Sequence, residues 1–221
     1  MKLPAIFFPF FLLSFTGMAN DTTDYHTFLK FAPGIAVHSD LRDLNASLES
    51  ENISPVRPWT FSTIIQGRIQ KNRSAFQLNF SIHNLNNGEE LPKKQVIFNL
   101  YHFSINYGSD LLPQNPQLRL EPFIGLGGTL GDFFIFSQDS AQTFNQALNG
   151  AQNLFYEQPS LALFGEAGIR FDFGLTQKRI AYFAELTTLQ QLTPWKWELE
   201  AMKLTQLTAV RFNLGFRFKL F

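Results

Sequence analysis

The sequence predicts an all-β protein: an eight-stranded antiparallel up-and-down transmembrane β-barrel with a cleaved N-terminal signal peptide and short loop helices. Three observations carry that expectation. In the closing stretch Thr208 to Phe221, Val210, Phe212, Leu214, Phe216, Phe218 and Leu220 share one parity, and Arg211, Asn213, Gly215, Arg217 and Lys219 share the other. A period of two sends successive side chains to opposite faces of a strand, so one face is apolar throughout while the other carries three positive charges. The chain also opens on Lys2, an apolar run from Leu3 to Phe15, and Gly17-Met18-Ala19 ahead of polar Asn20. Finally, 26 of 221 residues are Phe, yet mean hydropathy is only −0.06. So much Phe without a continuous apolar helix requires hydrophobes interleaved with polar residues, the pattern of strands with one lipid face and one lumen face.

A basic start, a short hydrophobic core and small residues at Gly17 and Ala19 mark residues 1–19 as a secretory signal peptide cleaved after Ala19. The apolar run is too short to span a membrane as a helix, and no Cys follows it for lipid attachment. Residues 20–221 then form one barrel domain. With no Cys in the chain, disulfides, thiol catalysis and Cys-zinc sites are excluded. Eighteen basic residues balance eighteen acidic ones, and loss of Lys2 with the leader leaves −1, so no electrostatic footprint for nucleic acid exists. His26, His38, His83 and His102 show no HExxH or other metal-ligand spacing, and no cofactor is expected.

Taken in order, the first strand is expected at 28–38, where Leu29, Phe31, Pro33, Ile35 and Val37 alternate with Lys30, Ala32, Gly34, Ala36 and His38. The second, 59–69, sets Trp59, Phe61, Thr63, Ile65 and Ile69 against Thr60, Ser62, Gln66 and Arg68. The third alternates Phe76, Leu78, Phe80 and Ile82 with Gln77, Asn79, Ser81 and His83. The fourth, 96–107, is irregular: Tyr101, Phe103, Ile105 and Tyr107 share a face with Asn99, but Phe98 and Leu100 fall on the other. A bulge near Asn99, or a different register, would reconcile the halves. The fifth, 117–128, opposes Leu118, Leu120, Pro122, Ile124 and Leu126 to Arg119, Glu121 and Phe123. The sixth, 160–173, opposes Leu161, Leu163, Ala167, Ile169, Phe171 and Phe173 to Phe164, Glu166, Arg170 and Asp172. The seventh, 179–189, opposes Ile180, Tyr182, Ala184 and Leu186 to Phe183, Glu185 and Thr187. The closing stretch is the eighth.

The connections alternate in length. Long ones cover 39–58, 85–95, 129–159 and 190–207, and short ones 70–75, 108–116 and 174–178, as in an up-and-down barrel with short periplasmic turns and long outer loops. Leu41, Leu44 and Leu48 recur at helical spacing in the first long loop, and the stretch 137–148 has the pattern of another short helix. Phe133 to Phe136 form an apolar knot in the longest loop, expected to pack on its own loop helix or at the aromatic rim.

With the apolar face outward, Lys30, Arg68, Arg119, Glu121, Glu166, Arg170, Asp172, Glu185, Arg211, Arg217 and Lys219 all point inward. A charge on the lipid face at mid-membrane costs about 2–4 kcal/mol, enough to enforce that arrangement. Eight strands leave a lumen just wide enough for side chains to fill it, and lone buried charges are very costly. The site expected is therefore a lumen network of Arg119, Glu121, Glu166, Arg170, Asp172, Glu185, Arg211 and Arg217, a polar filling that holds the barrel in shape. His102-Phe103-Ser104 with Glu121 contains the residue types of a Ser–His–acid hydrolase. In this register those side chains face the lumen, away from any lipid substrate.

The leader, the segment Leu120 to Gly128 (LEPFIGLGG), the strand Leu161 to Phe173 (LALFGEAGIRFDF) and the terminal Phe resemble the small outer-membrane β-barrel proteins of the OmpA/OmpW-like superfamily. The resemblance implies an eight-stranded barrel inserted by the barrel-assembly machinery. The partners expected are the lipid and lipopolysaccharide of a Gram-negative outer membrane, and the chain is expected to be a monomer. It implies no catalytic residues. Phe221 departs from the family's C-terminal signal, because it shares parity with Lys219 and Arg217. The His-x-Ser element resembles that of lipid A deacylases, but Ile105 stands where they have Asn, and the element lies mid-chain. The role expected is structural or surface-interacting. The alternatives are a narrow porin-like channel or carrier for small hydrophobic compounds, a lipid A-modifying hydrolase, and a soluble periplasmic barrel of lipocalin type with its apolar faces turned inward.

Overall fold

Each of the alternating segments forms a strand, and each runs antiparallel to its neighbour. The structure, a computed structural model, describes residues 25–50, 52–88, 94–115, 117–137, 154–157, 161–174, 179–195 and 207–220. The leader, residues 138–148 of the helix expected at 137–148 and Phe221 lie outside the described residues, and Ser137 itself is strand. The strands are β1 (Tyr25–Ser39), β2 (Trp59–Lys71), β3 (Ser74–Asn86), β4 (Lys94–Ser109), β5 (Leu118–Ser137), β6 (Leu154–Glu157), β7 (Ala162–Phe173), β8 (Ile180–Gln191) and β9 (Thr208–Lys219). Among the described residues there is one helix, α1 (Arg42–Ser50), in the first long loop. The sheet order β4-β3-β2-β1-β9-β8-β7-β5 closes on itself through β4–β5 pairing, making an eight-stranded barrel, and β6 pairs with the far end of β5. Closure leaves the barrel strands no open edge.

The short connections gather at one end, with residue 25 and residue 220, and the long ones gather at the other. At the turn end Lys71 pairs with Ser74, so Asn72-Arg73 is a two-residue hairpin turn. Asn72 takes φ +52°, a left-handed conformation that Asn tolerates better than most residues. At the seam β1 and β9 approach so closely at Gly34 and Gly215 that a Cβ would meet backbone oxygens of Phe212 and Phe31 at 2.5 and 2.1 Å.

The facing is the decisive observation. Phe61, Phe76, Ile105, Ile124, Leu126, Tyr182, Leu214 and Phe216 are exposed on the outside, while Lys30, Arg68, Arg170, Arg211 and Arg217 are buried inside. That excludes the soluble arrangement with inward apolar faces, since a water-soluble barrel cannot present a continuous Phe/Leu/Ile belt. In β9 the parity holds throughout, with Val210, Phe212, Leu214 and Phe216 outside and Arg211, Asn213 and Arg217 inside.

Two expectations are corrected. First, β4 has no bulge: its ladders with β3 and β5 run in unbroken register from Ser109 to Ile97 and from Gly108 to Lys94. Phe98 and Leu100 are inside because the lumen itself becomes apolar at the loop end. Leu85, Val96, Phe98, Leu100 and Phe133 pack there with Leu44, Leu48, Ile53 and Val56 of the first loop and with Trp195. Second, β5 does not stop at Gly128. It continues to Ser137, so Phe133 to Phe136 are strand, paired with β4 on one side and β6 on the other. Phe133 turns into the mouth of the barrel and meets Phe98 edge-on at 5.7 Å, and the helix packed into that mouth belongs to the first loop.

Helix α1 buries Leu44 and Leu48, one turn apart, and turns Arg42, Asp43 and Glu49 outward. It ends in a Schellman motif: Ile53 N–H donates to Leu48 O and Asn52 N–H to Glu49 O, with Asn52 at φ +56°. Asn45 then clamps the returning chain by bonding both the N–H and C=O of Val56. These local bonds hold a short helix that would not be stable alone.

The lipid facing is testable at Leu214, in the middle of the outer belt of β9. Leu214→Arg is expected to lower stability by about 2–4 kcal/mol, read from urea unfolding in lipid vesicles. An unchanged midpoint would mean that this face does not meet lipid.

Candidate functional site

The lumen is built in three layers, each set by the strand register. At the turn end, Lys30 of β1 and Arg217 of β9 are cross-strand partners, an arrangement that repels on its own. Asp172, from β7, resolves it by accepting from both: Lys30 Nζ to Oδ1 at 3.0 Å and Arg217 Nη1 to Oδ2 at 3.1 Å. Arg217 also lies over the ring of Phe28, and Lys30 over that of Phe183, at 4.7 and 4.6 Å.

Above that, charges alternate across the barrel. Arg170 of β7 is the cross-strand partner of Glu121 on β5 and of Glu185 on β8, and it bonds both. Glu121 is held in turn by Arg68, reaching from β2 on the far wall, in a two-pronged contact. On the other side Arg211 of β9 lies 3.7 Å from Glu185 and donates to Glu166 at 2.8 Å. The result is a chain Arg68–Glu121–Arg170–Glu185–Arg211–Glu166. Neutral groups satisfy the remaining acceptors. Gln66 and Thr187 donate to Glu185, and Ser104, Asn106 and Asn79 donate to Glu166.

The third layer is a stack of imidazoles. His38 and His83 are 3.1 Å apart at Nε2 and Nδ1, the His83 and His102 ring centroids are 4.6 Å apart, and His102 Nδ1 bonds Thr129 Oγ1 at 2.7 Å. Above it lies the apolar cap of α1 and Trp195. The cavity beside His102, Phe164 and Trp195 measures about 10 Å3, room for a single water.

Seven of the eight residues expected in the lumen network, Glu121, Glu166, Arg170, Asp172, Glu185, Arg211 and Arg217, lie together there. Arg119 meets none of their carboxylates: it pairs with Asp110 of the adjoining turn at 3.0 Å and touches the network only through Gln70, whose Oε1 it shares with Arg68. Lys30 and Arg68 complete the network. Both show the inward parity in the sequence, but only the closed barrel reveals which carboxylate each meets. The histidine stack was not foreseen, because its members come from β1, β3 and β4. The hydrolase constellation is not assembled either. Ser104 Oγ donates to Glu166, His102 bonds Thr129, and Glu121 is taken by two arginines. Among the described residues no group of three or more His, Cys, Asp or Glu side chains is placed to hold a metal ion.

No family model matches the chain, and no curated protein matches it in sequence. Solved structures do resemble it. A major outer membrane protein from Thermus thermophilus superposes with a TM-score of 0.58 at 8% identity, covering 89% of this chain and 100% of that one. Neisserial surface protein A gives 0.51 at 15% identity, covering 88% and 97%. Ail of Yersinia pestis, solved with the heparin analogue sucrose octasulfate, gives 0.50 at 10% identity, covering 89% and 100%. The chain has the small outer-membrane β-barrel fold. At these identities the likeness is one of fold.

The charge chain makes a graded prediction. Arg170→Ala removes the cation between two buried carboxylates, leaving the lumen one negative charge in excess, and is expected to cost about 3–5 kcal/mol in vesicle unfolding. Arg119→Ala, at the wetter turn end, is expected to cost far less. Equal losses at the two positions would show that the central chain does not act as a unit.

Proposed function

We propose that the chain is an integral outer-membrane protein of a Gram-negative bacterium, exported by the leader at 1–19, whose barrel is a closed scaffold and whose loop end is the working surface. The observation that carries this reading is the filling of the lumen. From turn end to loop end it holds paired ions, then stacked imidazoles, then an apolar cap in which Leu44, Phe98, Leu100 and Phe133 are fully buried. A water-filled pore needs a continuous wet path, and a carrier for hydrophobic compounds needs an apolar cavity of ligand size. The charged layer and the one-water cavity beneath the cap serve neither.

Loops standing on a rigid barrel are where binding residues concentrate in such architectures. Outer-membrane lipid and lipopolysaccharide surround the apolar belt in this reading, the barrel-assembly machinery inserts the chain, and the protein works as a monomer. His102, Ser104 and Glu121 serve the barrel's interior, and no chemical step is assigned to them.

Purified protein refolded into planar bilayers at neutral pH is expected to give no single-channel steps. Regular, voltage-dependent openings would overturn the closed-scaffold reading in favour of a channel.

A further inference from the structure

Three of the chain's four histidines meet at one level of the lumen, between the charged chain and the apolar cap. They are coupled to the layer below through Ser81, whose Oγ accepts from Arg211 at 2.8 Å and lies 3.5 Å from His83 Nε2. They are coupled to the layer above through His102, which stands edge-on to Phe164 at 5.3 Å and lines the same small cavity as Trp195 and Leu207.

The His38–His83 hydrogen bond requires one ring N–H facing one bare ring nitrogen, so it survives only while at least one ring is neutral. If both carry two protons, two N–H groups oppose each other at 3.1 Å, with His102 stacked against them. Imidazole is the side chain that changes charge between about pH 5 and 8. Among the described residues, the groups around the stack offer no spare negative charge. Ser62 of β2 is the cross-strand partner of His83, Ser81 of β3 and Thr129 of β5 lie against His83 and His102, Gln191 of β8 lines the cavity beside His102, and the cation Arg211 of β9 bonds Ser81. Thr60, Thr187 and Asn213 are buried polar neighbours in the same part of the lumen. Of the lumen carboxylates below, Glu166 on β7 is held by Arg211, Ser104, Asn106 and Asn79, and Glu185 on β8 by Arg170, Gln66 and Thr187. Among the described residues, the first loop turns Leu44, Leu48, Ile53 and Val56 into the cap, while its charged Arg42, Asp43, Glu49 and Arg57 are exposed.

We infer that the His38–His83–His102 stack is an acid latch: neutral rings seat the loop-end cap, and their protonation lifts α1 and Trp195 from the barrel mouth. Lifting the cap lets water reach the rings, so the lifted form binds more protons than the seated one. By linkage the seated form then loses stability as pH falls. The latch rests on the closed-scaffold reading and adds a condition under which the closure is released.

The test uses the full barrel in vesicles with Trp59→Phe and Trp197→Phe, leaving Trp195 as the single fluorophore. Acrylamide quenching is measured from about pH 8 down to pH 5. Quenching is expected to be weak at the upper end, to rise severalfold at the lower end, and to reverse on return. With His38→Gln, His83→Gln and His102→Gln added, it is expected to stay weak throughout, because Gln keeps hydrogen-bonding groups without titrating. Flat quenching in the histidine-bearing protein overturns the latch, and so does a rise that persists in the triple Gln variant. If that variant does not fold, His83→Gln alone is read instead: a changed midpoint supports the latch and an unchanged one rejects it. Conductance at the upper pH judges the closed scaffold separately, so a failure of the latch is distinguished from a failure of the scaffold it rests on.

Discussion

Arg170 lies between two carboxylates, Glu121 on one neighbouring strand and Glu185 on the other, and the rest of the lumen is arranged around that contact. An arginine in a closed barrel has no bulk water to retreat to, and an uncompensated buried ion is worth several kcal/mol of instability. Two acids facing one cation leave one negative charge over. Arg68 meets it at Glu121 from the far wall, and Arg211, placed beside Glu185, brings a positive charge that Glu166 takes. Each further ion calls for the next, and the chain ends where Glu166 is surrounded by neutral donors. Such a chain ties β2, β5, β7, β8 and β9 together across the barrel axis, a restraint that backbone ladders between adjacent strands do not supply.

The loop end follows a different rule on the same strands. Beyond His83 and His102 the inward positions of β3 and β4 become Leu85, Val96, Phe98 and Leu100. These residues cannot be lipid-facing by parity, and left uncovered they would meet water. Covering them requires apolar groups from the loops, and α1 supplies Leu44 and Leu48 at one-turn spacing. Burying each such side chain contributes about 1.5–3 kcal/mol, enough to seat a nine-residue helix that nucleation costs would otherwise keep unfolded. The barrel therefore has an ionic base and a greasy lid, with the imidazoles at their junction.

Much of this was legible beforehand. All eight barrel strands, and the facing of all but the loop end of the fourth, can be read from the period of two, because a membrane on one side and a polar lumen on the other impose the same alternation on every strand. Helix α1 was legible from Leu41, Leu44 and Leu48. The irregularity of the fourth strand misled: Phe98 and Leu100 suggested a bulge only on the assumption that the lumen stays polar to its end. Phe133 to Phe136 misled for a related reason, since four consecutive apolar residues carry no period by which a strand can be told from a loop.

By itself, then, the sequence determined the barrel, its strand number and which side chains face in, because those depend on parity along single segments. Tertiary structure alone decided which charges meet. Arg119 leaves its expected partners for Asp110, Arg68 crosses the lumen to Glu121, and Lys30 and Arg217 share Asp172. It alone also decided that three histidines stack and that a loop helix caps the mouth. Partner choice depends on the stagger between strands distant in sequence and on the closure of β4 onto β5, and no local pattern records either.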